Sequence, residues 1–231
     1  MNEIKNILFN KIAIVHSPFK EKFLIPRQPG LVTFESTIEL LPPFNRSESL
    51  VGLNDFSHIW IMFEFHAIEK KNESASLSVR PPRLGGNVKR GVFATRSPYR
   101  PNNIGLSLVR LERIEGYNLI ISGGDFLDQT PVIDIKPYIK EIESIPEAKS
   151  SWIDDRKEEK LKVTFHCDCQ ENLKDQITEV LSLDPRPRFH KDGYKKYGSR
   201  LGDFDIQWEV YNGVVNVLEI ISLAKNKCNP I

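Results

Sequence analysis

Short hydrophobic runs without helical spacing dominate the first two-thirds of the chain. Residues 57–65 are so rich in β-branched and aromatic side chains that they predict a buried strand. Shorter runs of the same kind occupy 11–15, 91–95, 104–111 and 118–122. Glu115 and Gly116 join the last two as a hairpin signal. Because no helical pattern of about 10–15 residues separates these runs, we predict a barrel or a sandwich rather than a Rossmann fold.

A change of composition after residue 144 indicates a domain boundary. Residues 144–160 are highly charged, contain Pro146 and have few large apolar groups, which is typical of a linker. We therefore predict one domain over residues 1–150 and a smaller domain over residues 151–231.

The smaller domain carries both helical and strand signals. Residues 161–165 predict a strand, and helical spacing follows in Leu173, Ile177, Val180 and Leu181. Asp168 and Glu171 predict a capping box at the start of that helix. Strict alternation then runs through Phe204, Ile206, Trp208 and Val210 to a hairpin turn at Asn212-Gly213. The fold class predicted for this part is a small α+β domain.

Composition is that of an ordinary globular protein, with 40% hydrophobic and 27% charged residues. No stretch approaches the roughly 20 apolar residues of a membrane span, and the first residues lack a signal-peptide pattern.

Cys167, Cys169 and Cys228 form no disulfide framework, and no second Cys pair completes a zinc site. We expect a cytoplasmic protein with no metal and no membrane association.

Basic residues are unevenly distributed on a chain whose net charge is only +1. Residues 80–111 contain seven basic residues and no acidic one, and a second basic run covers residues 186–200. Such segregation favours local recognition of a polyanion, although a solvated surface is the alternative for either run alone. The candidate phosphate contacts are Arg83, Arg90, Arg100, Arg186 and Arg188.

Four polar, loop-like segments combine prolines, glycines, arginines and amides. They are residues 26–30, 80–86, 94–105 and 125–138. Prolines fix φ and hold neighbouring polar groups in place, as a loop that presents a preformed site requires. Each segment alone is weakly specific, because Gly-Gly and Pro-rich sequences usually form simple turns.

Taken together and in this order, three of these segments closely resemble the TsaA-like family of tRNA methyltransferases. The resemblance is carried by 26–30, 94–105 and 130–138, and it resumes at 184–187 and the Trp208 strand. It implies an antiparallel β-barrel that binds S-adenosylmethionine and works as a homodimer. The C-terminal domain over residues 151–231 is expected to contact tRNA or to support the dimer. The implied reaction is methylation of N6 of threonylcarbamoyladenosine, the modified base beside the anticodon of tRNA.

The resemblance also assigns the cofactor contacts. They are Pro26, Arg27, Gln28, His66, Ala67, Arg96, Leu106, Leu127, Asp128, Gln129 and Thr130. Leu106 and Leu127 suit an apolar slot for adenine, and Arg96 suits the carboxylate of the amino-acid tail. Asp128 suits the ribose hydroxyls or the ammonium group. Gln129 stands where the family usually has Gly, which affects the tightness of that turn.

The acceptor nitrogen is a weak nucleophile, because its lone pair is delocalised into the carbamoyl group. A base or a carbonyl that polarises its N–H is expected to contribute roughly 10²–10⁴-fold. Asp134 and Tyr138, in Asp-Ile-Lys-Pro-Tyr, are the catalytic candidates. The alternative for Asp134 is a buried structural carboxylate that pairs with Lys136 or an arginine.

Two other functions fit the same residues. One is a non-enzymatic RNA-binding module that uses the basic loops only to dock tRNA. The other is a small-molecule methyltransferase of the same fold. Cofactor binding distinguishes the first from a tRNA methyltransferase, and dependence of turnover on RNA distinguishes the second.

Overall fold

Twelve strands and two α-helices make up the regular structure of the computed structural model, which describes residues 7–68, 77–81, 88–153, 160–186 and 193–223. In the N-terminal part the elements are β1 (Ala13–His16), β2 (Glu35–Leu40), β3 (His58–Glu64), β4 (Ser78–Val79), β5 (Arg90–Gly91), β6 (Ile104–Glu115), β7 (Asn118–Ser122), β8 (Thr130–Pro137) and α1 (Lys140–Glu143). In the C-terminal part they are β9 (Lys162–Phe165), α2 (Glu171–Leu181), β10 (Gly193–Leu201), β11 (Phe204–Tyr211) and β12 (Val214–Ser222).

Six strands close into a barrel in the order β1-β2-β7-β6-β3-β8, and every neighbouring pair is antiparallel. Along β3, Ile59, Ile61 and Phe63 are buried, whereas Trp60 and Met62 between them are only partly covered. This alternation places one side of each strand in the barrel core. The mainly β fold with an antiparallel barrel is confirmed.

The antiparallel order determines at which end of the barrel each connection between strands lies. Adjacent strands run in opposite directions, so the C-terminal ends of β1, β3 and β7 all lie at the same end of the barrel, which we call the top. The connections 17–34, 65–103 and 123–129 therefore all leave from the top. The hairpin 116–117 and the connection 41–57 lie at the other end, the bottom.

The C-terminal strands form a separate sheet in the order β10-β11-β12-β9, with a parallel pairing between β12 and β9. Asn212 and Gly213 take the positive φ values of 49° and 70° that a two-residue hairpin turn requires, as predicted. The predicted helix is also present as α2. Its predicted capping box is wrong, because Gln170 is the N-cap residue and makes no side-chain cap bond.

Three ranges differ from the sequence prediction. Residues 130–137 were assigned to a polar, loop-like segment but form strand β8, and residues 35–40, for which no strand was predicted, form β2. Residues 91–95 are not a strand, because β5 ends at Gly91 and Val92–Ala94 form a short 3₁₀ helix. The β1–β2 connection packs into the C-terminal core rather than into the barrel. That core contains Phe19, Leu24, Val32 and Phe34 together with residues of α2 and the C-terminal sheet such as Leu181 and Trp208.

The boundary near residue 150 stays a prediction, since part of the N-terminal segment shares the C-terminal core. Within the described residues, no helix is both long enough and apolar enough to span a membrane.

Candidate active site

The top of the barrel collects every residue that the resemblance assigns to the cofactor. Residues 26–28 lie in the β1–β2 connection, and His66, Ala67 and Arg96 lie in the β3–β6 connection. Leu106 is near the start of β6, and residues 127–130 end the β7–β8 connection. The antiparallel barrel thus brings together four segments that are distant in sequence.

Arg96 links two of these segments directly. Its Nη1 donates a hydrogen bond to Oε1 of Gln28 at 2.7 Å. The side chain of Arg96 is exposed, and the guanidinium has five N–H donors, so donors remain for a ligand. The backbone N–H of Gly30 also donates to the carbonyl of Gly123 at 2.8 Å, which ties the same connection to the end of β7.

Leu106 provides an exposed apolar surface beside this polar group. It is 51% exposed on the outer side of β6, directly opposite Met62 of β3. A leucine left this exposed is available to cover the flat face of a ligand ring. Gly105 beside it passes over the ring of Phe63, and a Cβ there would lie only 2.2 Å from Cζ of Phe63, so only glycine fits.

Asp125 is a residue of this site that the sequence interpretation missed. Its Oδ1 accepts a hydrogen bond from Ser107 Oγ at 2.5 Å. Burial raises the pKa of Asp125, and the hydrogen bond from Ser107 and the charge of Arg96 only partly offset this. The available signal was a carboxylate that follows Gly123-Gly124 at the end of a buried strand.

We expect Asp125→Asn to raise the melting temperature at pH 7. The folded protein holds the pKa of Asp125 above its unfolded value, so folding disfavours the ionised form. The free-energy cost of holding the ionised carboxylate in the folded protein is absent at a pH below the unfolded pKa. It is complete at a pH above the folded pKa. The gain in melting temperature should therefore shrink as the pH falls through this window in a thermal unfolding series.

Asp128 is a matched control, because its pKa is shifted in the opposite direction to that of Asp125. Burial alone would raise the pKa of Asp128, but hydrogen bonds from Lys20 and the Ser17 amide outweigh it and lower the pKa. Its stabilisation is present above the unfolded pKa and is lost as the pH falls through the folded pKa. Asp128→Asn should lower the melting temperature at pH 7. Equal shifts in both variants would contradict this assignment.

The turn that contains Asp128 anchors the β1–β2 connection. The Asp128 carboxylate accepts from the Ser17 N–H at 2.9 Å and pairs with Lys20 Nζ at 2.8 Å. Gln129 adopts a left-handed φ of 65°, so the turn keeps the conformation that glycine favours at this position. Thr130 Oγ1 closes the turn by donating to the Leu127 carbonyl at 2.7 Å.

His66 and Ala67 complete the group on the side of β3. Nδ1 of the exposed His66 lies 3.4 Å from Thr130 Oγ1, which connects the end of β3 to the turn. Lys22 Nζ donates to the carbonyl of Ala67, so the β1–β2 and β3–β6 connections meet here as well.

The two catalytic candidates, Asp134 and Tyr138, lie at different heights along the outside of the barrel. Met62 lies opposite both Leu106 and Asp134, so these three side chains form one row on the outer face, and Asp134 lies about 10 Å from Leu106. Asp134 pairs with Lys136 Nζ at 2.9 Å, as the alternative predicted, but its side chain is 43% exposed rather than buried. Tyr138 packs against His58 near the bottom of β3, at the opposite end from His66.

An apolar pocket lies at the bottom of the barrel, away from the cofactor residues. Phe44, Leu50, Leu53 and Phe56 line it, and Asp134 borders it. No residue that the resemblance assigned to the cofactor lines this pocket, and Tyr138 does not line it either.

The arginines proposed for tRNA differ in their availability. Arg90 is half-buried on β5, and Arg100 donates to the carbonyls of Thr95 and Ser97 at 3.2 and 3.3 Å, so it braces the loop that carries Arg96. Arg186 is only 8% exposed, and its guanidinium binds both carboxylate oxygens of Asp184. This geometry favours a structural role for Arg186. Arg83 and Arg188 lie outside the described residues.

Among the residues that the structure describes, there is no group of three or more His, Cys, Asp or Glu side chains that could hold a metal ion. Burial is the largest cause that raises the pKa of both Cys167 and Cys169, which keeps these thiols protonated.

Comparison with protein families identifies both parts of the chain. The N-terminal domain profile of tRNA-methyltransferase O matches residues 14–144, and the C-terminal domain profile of TrmO matches residues 155–223. The chain belongs to the TrmO family. The resemblance seen in the sequence is therefore confirmed.

Individual TrmO relatives agree over most of the chain. A tRNA (adenine(37)-N6)-methyltransferase from Escherichia coli is 41% identical over 219 residues, which cover 87% of this chain and 92% of the relative. A crystal structure of TrmO from Pseudomonas aeruginosa has a TM-score of 0.77 at 33% identity and covers 94% of this chain and all of that one. A probable S-adenosyl-L-methionine-binding protein from Pyrococcus abyssi is 41% identical over 149 residues, 64% of this chain and 77% of the relative.

Proposed function

We propose that the protein methylates N6 of threonylcarbamoyladenosine at position 37 of tRNA. Its membership of the TrmO family makes it a methyltransferase with S-adenosylmethionine as the cofactor. The observation that supports the proposal best is the convergence of four cofactor segments at the top of the barrel, with the Arg96–Gln28 hydrogen bond at its centre. We further propose that the enzyme acts as a cytoplasmic homodimer.

The residues at the top suit the chemistry of S-adenosylmethionine. Its amino-acid tail carries a carboxylate and an ammonium group, and its nucleoside carries a flat ring and two hydroxyls. Arg96 offers charge-assisted donors for the carboxylate, and Asp125 is a carboxylate that Arg96 already influences. Leu106 offers apolar surface for the ring, and the 127–130 turn offers backbone groups.

The task of the chain in this reaction is mainly alignment. The cofactor supplies an electrophilic methyl group on a sulfonium, and its C–S bond breaks as the bond to N6 forms. Holding the acceptor nitrogen close and in line can supply ~7–11 kcal/mol of the barrier. Leu106, Arg96 and the 26–28 segment would fix the donor side.

The acceptor nitrogen must also lose its proton, since it gains a methyl group and ends neutral. We propose Asp134 as the group that accepts or polarises this N–H, because it shares the outer face with Leu106. The proton then passes to water. Tyr138 is the weaker candidate of the two, because it lies near the bottom of β3.

Recognition of tRNA is proposed for the basic residues that flank the site. Arg90 and Arg100 belong to the β3–β6 connection that also carries Arg96, so a phosphate bound there would approach the cofactor. Arg83 belongs to the same basic run, and Arg188 belongs to the second run. Phosphate contacts of this kind make affinity fall steeply with salt.

Mass spectrometry of tRNA nucleosides tests the proposed reaction. Incubation of purified protein with S-adenosylmethionine and tRNA bearing threonylcarbamoyladenosine should convert that nucleoside to a product heavier by one methyl group. Binding of tRNA without any methylated product would indicate the RNA-binding module. Consumption of cofactor that is independent of RNA would indicate a small-molecule methyltransferase.

A further inference from the structure

The β1–β2 connection, which carries the proposed cofactor residues Pro26, Arg27 and Gln28, is attached to the C-terminal sheet at its beginning. The Gly202 N–H donates to the Pro18 carbonyl at 2.8 Å, and Phe19 forms an isolated β-bridge with Leu201. Leu201 and Gly202 lie at the turn between β10 and β11.

A second attachment lies within the cofactor segment itself. Arg27 Nη2 donates to the backbone carbonyl of Asp184 at 2.7 Å. Asp184 adopts a left-handed φ of 49°, and its carboxylate is held by Arg186 through Nε at 2.7 Å and Nη2 at 3.0 Å. Because Arg186 is buried, this pair fixes the direction in which the Asp184 carbonyl points.

A third attachment follows the cofactor segment. Glu179 of α2 accepts two hydrogen bonds from Thr33, one from its N–H at 2.8 Å and one from its hydroxyl at 2.7 Å. Leu24 and Val32, which lie between these polar contacts, and Phe34, which follows Thr33, are buried in the C-terminal core. The C-terminal domain therefore holds the β1–β2 connection before residues 26–28, at Arg27 within them, and after them.

The barrel side contributes different contacts to the same segment. Gly30 bonds to Gly123, and Gln28 accepts from Arg96. The cofactor segment thus lies where the barrel and the C-terminal sheet meet, and neither surface alone provides all of its anchors.

We propose that the C-terminal sheet and α2 are part of the cofactor site, with Glu179 and Asp184 as positioning residues for the 26–28 segment. This inference rests on the proposed function, since it concerns the affinity for S-adenosylmethionine. Neither residue contacts the cofactor in this proposal. Each acts by holding backbone and side chains that do.

Matched pairs of variants in the full-length protein test this role. Glu179→Ala removes both bonds to Thr33, whereas Glu171→Ala alters an exposed glutamate of the same helix that bonds Lys174 of that helix. We expect the Kd for S-adenosylmethionine, measured by calorimetry without tRNA, to rise about ten-fold for Glu179→Ala and to stay unchanged for Glu171→Ala. Glu179→Gln keeps one acceptor and should recover part of the affinity.

Asp184→Asn provides a second, independent pair. Asparagine tolerates the left-handed conformation but brings N–H donors against the guanidinium of Arg186. Asp205→Asn makes the same chemical change on β11, where the carboxylate accepts from Gln207. Only Asp184→Asn should weaken cofactor binding, with a higher KM for the cofactor and a kcat at saturation within about two-fold of the parent protein.

The outcomes separate this inference from the proposed function. If the parent protein fails to bind S-adenosylmethionine, the proposed function itself is wrong. If the parent protein binds it and both variants bind as tightly as their controls, the C-terminal unit is not a positioning element and the inference is overturned. An effect confined to tRNA affinity would overturn it equally.

Discussion

Transfer RNA that already carries threonylcarbamoyladenosine is expected to be methylated about 10⁴-fold faster than the same tRNA with unmodified adenosine. A pocket built for the modified base has polar groups that pair with its carbamoyl carbonyl and its threonyl carboxylate. Unmodified adenosine leaves those groups without partners, and an unpaired buried polar group costs far more than a missing apolar contact. The discrimination should appear in kcat/KM.

Single-turnover assays on two forms of one tRNA measure this ratio. An in vitro transcript supplies the unmodified form, and the same transcript treated with threonylcarbamoyl-transferring enzymes supplies the modified form. A tRNA with guanosine at position 37 is the control for methylation elsewhere. Equal rates on the two forms would indicate a general adenosine methyltransferase and would remove the carbamoyl group from the proposed recognition.

Local sequence patterns predicted four of the six barrel strands, β1, β3, β6 and β7, because one face of each strand is buried. They missed β2 and β8, and the residues of β8 were assigned to a polar, loop-like segment. The alternation in β3 and the Asn212-Gly213 turn are encoded within a few neighbouring residues. Closure of the barrel is different. It depends on pairing β1 with β8, and Ala13 lies opposite Val132, so no local pattern distinguishes a barrel from a sandwich.

Two local details of the sequence prediction were misplaced. The acidic pair Asp168 and Glu171 satisfies the capping-box pattern, yet the chain enters α2 one residue before Glu171, at Gln170. Residues 91–95 have strand-like composition, but the antiparallel partner Ser78–Val79 pairs only as far as Gly91. The remainder turns to bring Arg96 to the site.

The candidate site could be predicted from sequence only as a set of segments. Family resemblance identified the segments, and the antiparallel topology explains why they meet at the top. Asp125 could not be predicted from its own segment, because its environment is formed by Ser107 and Arg96, which lie on two other segments. Arg186 looked like a phosphate contact because burial in an ion pair with Asp184 cannot be read from a basic run.

Arg96→Ala is expected to raise the Kd for S-adenosylmethionine about 100-fold. Paired hydrogen bonds between a guanidinium and a carboxylate are among the strongest polar contacts in proteins, and each factor of ten corresponds to about 1.4 kcal/mol. The variant also removes the partner of Gln28 and so loosens the 26–28 segment. Arg96→Lys should recover only part of the affinity, because an ammonium group cannot make the planar two-bond contact.

The carboxylate assignment can be isolated by changing the ligand as well as the protein. Decarboxylated S-adenosylmethionine lacks the group that Arg96 is proposed to bind, so calorimetry should show that Arg96→Ala weakens the binding of this ligand much less than the binding of S-adenosylmethionine. Arg110→Ala, which alters an exposed arginine of β6 that pairs with Glu112, should bind both ligands as the parent protein does. If Arg96→Ala lowered the affinity for both ligands equally, the interaction energy between the Arg96 side chain and the ligand carboxylate would be zero. Arg96 would then act through Gln28 and the 26–28 segment.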